Sequence, residues 1–443
     1  MLLHMSTVPN RSTWIAALLA LATAWLCFGL PVGRDAERGF EVDEAEYLTL
    51  AIHSVRQAQG KTDATLGTQL PRIDDLSPWR DGIHDSTFGF QSPGLPKLLF
   101  GAAGVAAGVG EVSAEVFPRF LPPDLSRGAA KERRLAAREL VLPALEPARR
   151  VARGLASLIA ALLFAIAYSV SGAWAGPRLR YVCGAFAGLL WITSPIAWEA
   201  SAYVRPGLLP VLFWCAALLA TLKIKRPSIL ATVLGLCCGL ATAGKLNGVL
   251  LAPLVPILLF FAQRANGLKA RDAAKVAALC TPLAAVLSFA VFLVFAPGLW
   301  SDTFSGLVQI VRLWRSDLAH QATLAVETIA ISSGPMHSLR MGFSGLANTS
   351  GPLAGIAPFL GVVLLPLGLA ALARGSKCGG QPHVDRAVLA WSLFLLFASA
   401  WLIPMDRARY ILPMVAPAAL VQALLLARLL SLVPRLRTQS EHA

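Results

Sequence analysis

An all-α, polytopic integral membrane protein of about ten transmembrane helices is the fold class this sequence predicts, on three observations. Of its 443 residues 56% are hydrophobic and only 14% are charged. The apolar residues come in blocks of about twenty, the length of a bilayer-crossing helix. Lys and Arg lie between those blocks, where they orient helices and meet anionic headgroups. The net charge of +14 therefore points to membrane lipids as partners, not to nucleic acid. The seven cysteines, 27, 183, 215, 237, 238, 280 and 378, sit mostly inside apolar runs without CxxC or Cys/His spacing. They read as small core residues, with no disulfide framework and no metal site.

In chain order, residues 13–32 are a first apolar run. No good small-residue cleavage site follows it, so it reads as an uncleaved span rather than a signal peptide. Further spans are expected near 151–173, 181–198, 207–222, 229–243, 247–263, 275–296, 352–373, 387–404 and 410–430. LLFGAAGVAAGVG, 98–110, is thirteen residues of mostly Gly, Ala and Val, too short to cross, and is placed in the membrane surface. Loop charge supports that placement. With ten spans and the N-terminus inside, the short inner loops and both ends carry 16 Lys or Arg against three acids, whereas the short outer loops around Arg205, Lys245 and Arg409 are barely charged. Residues 112–153, with nine Lys or Arg, fall outside against that trend, as long loops can. KERRLAAREL, 131–140, reads as an interfacial basic helix.

The whole chain, 1–443, is thus one membrane domain with two outer-face segments, 33–150 and 297–351. In the first, Val42, Ala45, Leu48, Ile52 and Val55 step by three or four, the spacing of an amphipathic helix on a membrane surface. Asp43 and Tyr47 share another face. Two readings of Asp43 stand: a helix cap, with Glu46 completing a capping box, or a functional carboxylate paired with Glu44.

The stretch VDEAEY after a first span resembles the GT-C glycosyltransferases that use polyprenyl-phosphate sugars, in particular the protein O-mannosyltransferase and aminoarabinose transferase group. FQSPGLPKLLFG is similar to the family's His-Pro-Pro-Leu-x-Lys-Leu segment at Pro93, Leu95 and Lys97, departing from it at Gln91, Ser92 and Gly94. PARRVARGLASLIAALLFAIAYSVSGAWAG is similar to its Arg-led second span, GLCCGLATAGKLNG to its Gly-Leu-Ala-x-x-x-Lys hairpin, and MDRARYILPMVAP to its late Arg-Tyr-x-x-Pro entry into a span. The resemblance covers about residues 13–300 and the last span pair. Where many relatives carry an acid after the third span, this chain has SAYVRPG with Gly207, so a second acid would have to be Glu199, Asp302 or Asp406.

The resemblance implies a GT-C type fold, an inner or plasma membrane location and an inverting transfer from a polyprenyl-phosphate-linked sugar donor to an outer-face acceptor hydroxyl on protein, lipid or glycan. Elementary chemistry asks for the same parts: a base beside the acceptor oxygen and cations where charge collects on the departing phosphate. Asp43 is the candidate base and Glu44 a positioning acid. Tyr47, Lys97, Arg205, Lys245, Asp302 and Arg409 are candidate substrate-binding residues. For the cations the competing reading is snorkelling to the interface. For FAPGLWSDTF it is an interfacial anchor at Trp300. No cofactor is required, a divalent metal is left open, and His53, His84, His320 and His337, none at i, i+4 spacing from another, do not read as a shared metal site. The rival class is a multi-pass secondary transporter, which would carry ionisable groups near mid-span and repeated halves; neither stands out here.

Overall fold

In the computed structural model, residues 11–29, 44–60, 94–110, 112, 116, 125–172, 174–296, 299, 303–305, 307–308, 360–374, 382–402 and 408–432 are described. They form thirteen α-helices and one short 3-10 helix, with no strand among them. The helices are α1 Arg11–Gly29, α2 Glu44–Ala58, α3 Gly94–Ala106, α4 Arg127–Ser171, α5 Pro177–Ile192, α6 Pro195–Ala202, α7 Leu208–Lys223, α8 Pro227–Gly244, α9 Leu254–Ala265, α10 Ala270–Val294, α11 Leu360–Arg374, α12 Pro382–Leu402 and α13 Ala408–Ser431.

A helix stands at every one of the ten predicted spans. Five helical stretches are long and apolar enough to cross a membrane, Arg127–Ser171, Pro227–Gly244, Leu246–Ala265, Ala270–Val294 and Leu412–Ser431, and six if α5 and α6 count as one bent span. Trp14–Leu26, Gly94–Ala106, Leu208–Lys223 and Val363–Arg374 are shorter apolar stretches. α1 and α10 turn large apolar side chains outward, among them Trp25, Leu279 and Val286, each more than 60% exposed. That is surface a bilayer would cover.

Three boundaries differ from the sequence reading, each for a local reason. The basic helix expected at 131–140 and the span at 151–173 are one helix, α4, of 45 residues. Ser126 starts it by accepting the Ala129 N–H at 3.3 Å, the Ala-, Leu- and Glu-rich sequence between favours helix, and Pro143 and Pro147 sit inside it without ending it. The 181–198 span is broken by 62° between α5 and α6: Pro195 disfavours helical backbone in the residue before it and starts the next helix instead. The 247–263 span opens as the 3-10 helix Leu246–Leu251 before α9 begins.

The core runs along α4, which packs on α1, α5, α7, α3 and α6. α5 in turn carries α13, and α8 joins α7 to α10. Trp191, Trp214 and Trp391 are fully buried, and Trp191 Nε1–H donates to the Ala156 carbonyl at 3.0 Å, tying α5 to α4. Cys183, Cys215, Cys237 and Cys238 are free thiols buried in this core.

α2 departs from its expected setting. Ala45, Leu48, Ile52 and Val55 are buried, but so are Glu44, Glu46, Thr49 and His53. The helix is enclosed by protein rather than laid on a surface with a wet polar face, because arginines of α4 cover that face. α3 spans thirteen residues, about 20 Å at 1.5 Å per residue, well short of a hydrocarbon core of roughly 30 Å. Gly101 and Gly104 let α3 approach α2: a Cβ on Gly101 would strike the Ala51 carbonyl, and one on Gly104 the Ile52 side chain.

Candidate functional site

The site is built where α2, α4 and the α6–α7 corner meet. Glu44, in the first turn of α2, is 2% exposed. Arg149 of α4, equally buried, clasps it in a two-pronged pair: Nη2 donates to Oε2 at 2.7 Å and Nε to Oε1 at 3.0 Å. The Val204 N–H adds a third bond to Oε1 at 2.9 Å. Both carboxylate oxygens of Glu44 are therefore engaged. Charge-assisted, bidentate geometry of this kind is what makes a buried pair tolerable.

That bond to Val204 fixes the corner Tyr203-Val204-Arg205, which runs extended from the end of α6 at Ala202. Two guanidiniums lie over the Tyr203 ring, that of Arg149 at 5.7 Å and that of Arg205 at 5.1 Å from its centroid. Arg205 also reaches Glu199 at 3.4 Å. Two residues along, Glu46 Oε1 accepts from Arg138 at 2.6 Å and from Arg134, while its Oε2 is buried with no hydrogen-bond partner. Glu46 thus turns toward α4; the capping box it would complete with Asp43 lies outside the described residues.

The predicted residues fall as follows. Tyr47 is buried, its ring edge-on to Phe100 of α3 at 6.0 Å. Lys97 is half-buried on the first turn of α3, and burial pulls its amine from 10.5 down to about 8. Lys245 is half-buried where α8 passes into the 3-10 helix, its N–H donating to the Ala241 carbonyl at 3.0 Å. α3 packs on both α2 and α8, and the Gly94 N–H donates to the Phe295 carbonyl past the end of α10 at 2.8 Å. The segments carrying Glu44, Lys97, Arg205 and Lys245 therefore converge at one end of the bundle. α13 starts at this end too: Leu412 lies against Gly207. Arg409 is in its first turn, but its side chain lies outside the described residues, as do Asp43, Asp302, Trp300 and Asp406 entirely. α2 begins at Glu44, one residue after Asp43.

The sequence reading missed Arg134, Arg138, Arg149 and Tyr203 as partners. Arg134, Arg138, Arg149 and Arg153 fall within about 100° of one another on a continuous helix, a stripe that is invisible when 131–140 and 151–173 are read as separate elements. Among the described residues no group of three or more His, Cys, Asp or Glu could hold a metal ion. No family model, curated protein or solved structure matches the chain.

Proposed function

We propose that this protein is a GT-C-like membrane glycosyltransferase that moves a sugar from a polyprenyl-phosphate donor to an acceptor hydroxyl at the outer face, with inversion. The supporting observation is that the segments bearing Glu44, Lys97, Arg205 and Lys245 meet at one end of an apolar bundle. The donor class rests on the sequence resemblance.

In this reading Asp43 takes the proton of the acceptor hydroxyl as its oxygen bonds to the anomeric carbon, and the bond from that carbon to the phosphate oxygen breaks. Polyprenyl phosphate leaves with the electron pair. Lys97, Arg205, Lys245 and Arg409 surround the growing phosphate charge, which favours the transition state over the bound donor. Glu44 touches neither reacting atom: it holds Arg149 and the Tyr203-Val204-Arg205 corner and so is a positioning residue. Tyr47 and Asp302 are the remaining candidates for contact with the sugar.

The test is to incubate purified protein with a panel of radiolabelled polyprenyl-phosphate sugars and follow transfer. Asp43→Asn keeps a helix cap but cannot accept a proton, so turnover at saturating donor should fall at least about a hundredfold. Near-normal turnover would remove Asp43 from the mechanism. Substrate flux across vesicles without consumption of any lipid-linked sugar would replace glycosyl transfer with transport.

A further inference from the structure

α3 is apolar on two opposite faces. At about 100° per residue, Phe100, Gly101 and Gly104 fall within roughly 100° of one another, and this inner face meets protein: Phe100 packs on Tyr47, Gly101 lies against Ala51, and Gly104 lies against Ile52 and Ala144. Leu98, Leu99, Ala102 and Ala106 make a second set within roughly 100°, on the far side of the helix. All four are exposed, the two leucines by 38% and 36%. No Asp, Glu, Lys or Arg occurs from Leu98 to Gly110.

A helix with one face on protein and the other in water carries polar side chains on the wet face. The outward face of α3 has none. Its start is joined to a surface that belongs in hydrocarbon. The Gly94 N–H donates to the carbonyl of Phe295, one residue past α10, at 2.8 Å, and α10 is long and apolar enough to cross a membrane. Close to that junction Val294 of α10 is 65% exposed. A second protein copy fits the α3 face poorly: about 20 Å long and 10 Å wide, it offers roughly 200 Å², where a stable interface buries about 800 Å² per partner.

We infer that the Leu98, Leu99, Ala102 and Ala106 face of α3 is a lipid-docking surface, sunk into the acyl chains of the nearer leaflet while the opposite face holds α2. An apolar helix face enters such a boundary by about 5–10 Å. Hydrocarbon covers it without asking for hydrogen bonds, because a helix bonds its backbone groups internally. The partner is the acyl region of phospholipid and not a headgroup, since the face presents neither charge nor a side-chain donor. The bilayer thereby supports, through α3, the packing of α2 on the bundle. This surface is independent of the glycosyltransferase reading.

The experiment places the photoreactive residue p-benzoylphenylalanine singly at Leu99 or Ala106 in the full chain, reconstituted in phosphatidylcholine vesicles and illuminated. Mass spectrometry then reads what each position has captured. Both should gain the mass of one phospholipid, with fragmentation placing the new bond on an acyl carbon. Val286, 67% exposed on α10, is the reference for a lipid-facing position and should give the same adduct. Ser126, exposed at the start of α4, should give none. Both α3 positions are exposed, so the bulky probe displaces no core, and Ala106 keeps the test decisive if the probe at Leu99 lowers the thermal unfolding temperature. Capture of a second copy of the chain, a cross-link within the chain, an unmodified mass where Val286 yields the adduct, or equal acyl capture at Ser126 would each overturn the assignment.

Discussion

At the scale of residues, the Glu44–Arg149 pair and Lys97 show how burial assigns different work to charges of similar type. Glu44 and Arg149 are matched by geometry, and removing one partner leaves the other charged and buried. Glu44→Leu should therefore lower stability by about 3–5 kcal/mol, read as a drop in thermal unfolding temperature in detergent. Glu44→Leu/Arg149→Met should recover most of it, because an apolar pair of similar volume replaces both charges. Lys97 is poised differently. With its amine drawn down to about 8, it is mainly charged at pH 7 and mainly neutral at pH 9. If it binds the donor phosphate, donor half-saturation should be flat below about pH 7 and worsen as pH rises through about 8, since a neutral amine must first take up a proton. Lys97→Arg should keep part of the activity and abolish that pH dependence, whereas Lys97→Ala should weaken donor use far more than acceptor use. A normal donor half-saturation in Lys97→Ala would leave Lys97 as a snorkelling side chain.

At the scale of elements, α2 and α3 behave as a pair clamped onto α4. The far end of α2 is tied to the loop after α3 by Arg56, whose Nη2 donates to the Val109 carbonyl at 2.8 Å, and Arg134 of α4 donates to the Val116 carbonyl at 3.1 Å. The contact between α2 and α3 depends on absent side chains. Gly101→Ala would put a methyl group into the Ala51 backbone, which cannot swing aside, and should destabilise by about 1–3 kcal/mol. Gly128→Ala is the matched control: its Cβ meets nothing within 4 Å, and alanine in a helix is favoured by about 0.5–1 kcal/mol. Thermal unfolding of the two variants checks the direction. If Gly101→Ala also impairs donor use while Lys97 is intact, the position of α3 matters to the site as well as to the fold.

At the scale of the whole molecule, the two ends of the bundle are chemically distinct, and their sidedness can be measured. Cysteines introduced one at a time as Ser126→Cys, at the start of α4, and Ser228→Cys, in the first turn of α8, should lie on opposite sides of the membrane in a background with all seven native cysteines replaced by Ser or Ala. Only position 126 should react with an impermeant thiol reagent in intact cells; labelling of 228 alone, or of both equally, would end the ten-span topology. The sequence by itself determined that the chain is helical, where its apolar helices lie and which charged residues flank them. Those are local properties: side-chain hydrophobicity and helix length act over about twenty residues, and Pro195 acts on its immediate neighbour. Only the tertiary structure decided the partners. Glu44 meets Arg149 across 105 residues and Val204 across 160, and no periodicity encodes contacts at that range. It also decided that α2 is enclosed rather than surface-laid, because the arginines covering its acidic face come from a helix that runs on through Pro143 and Pro147. A buried charge is tolerated only where the fold brings its counter-charge, and that juxtaposition belongs to the assembled bundle.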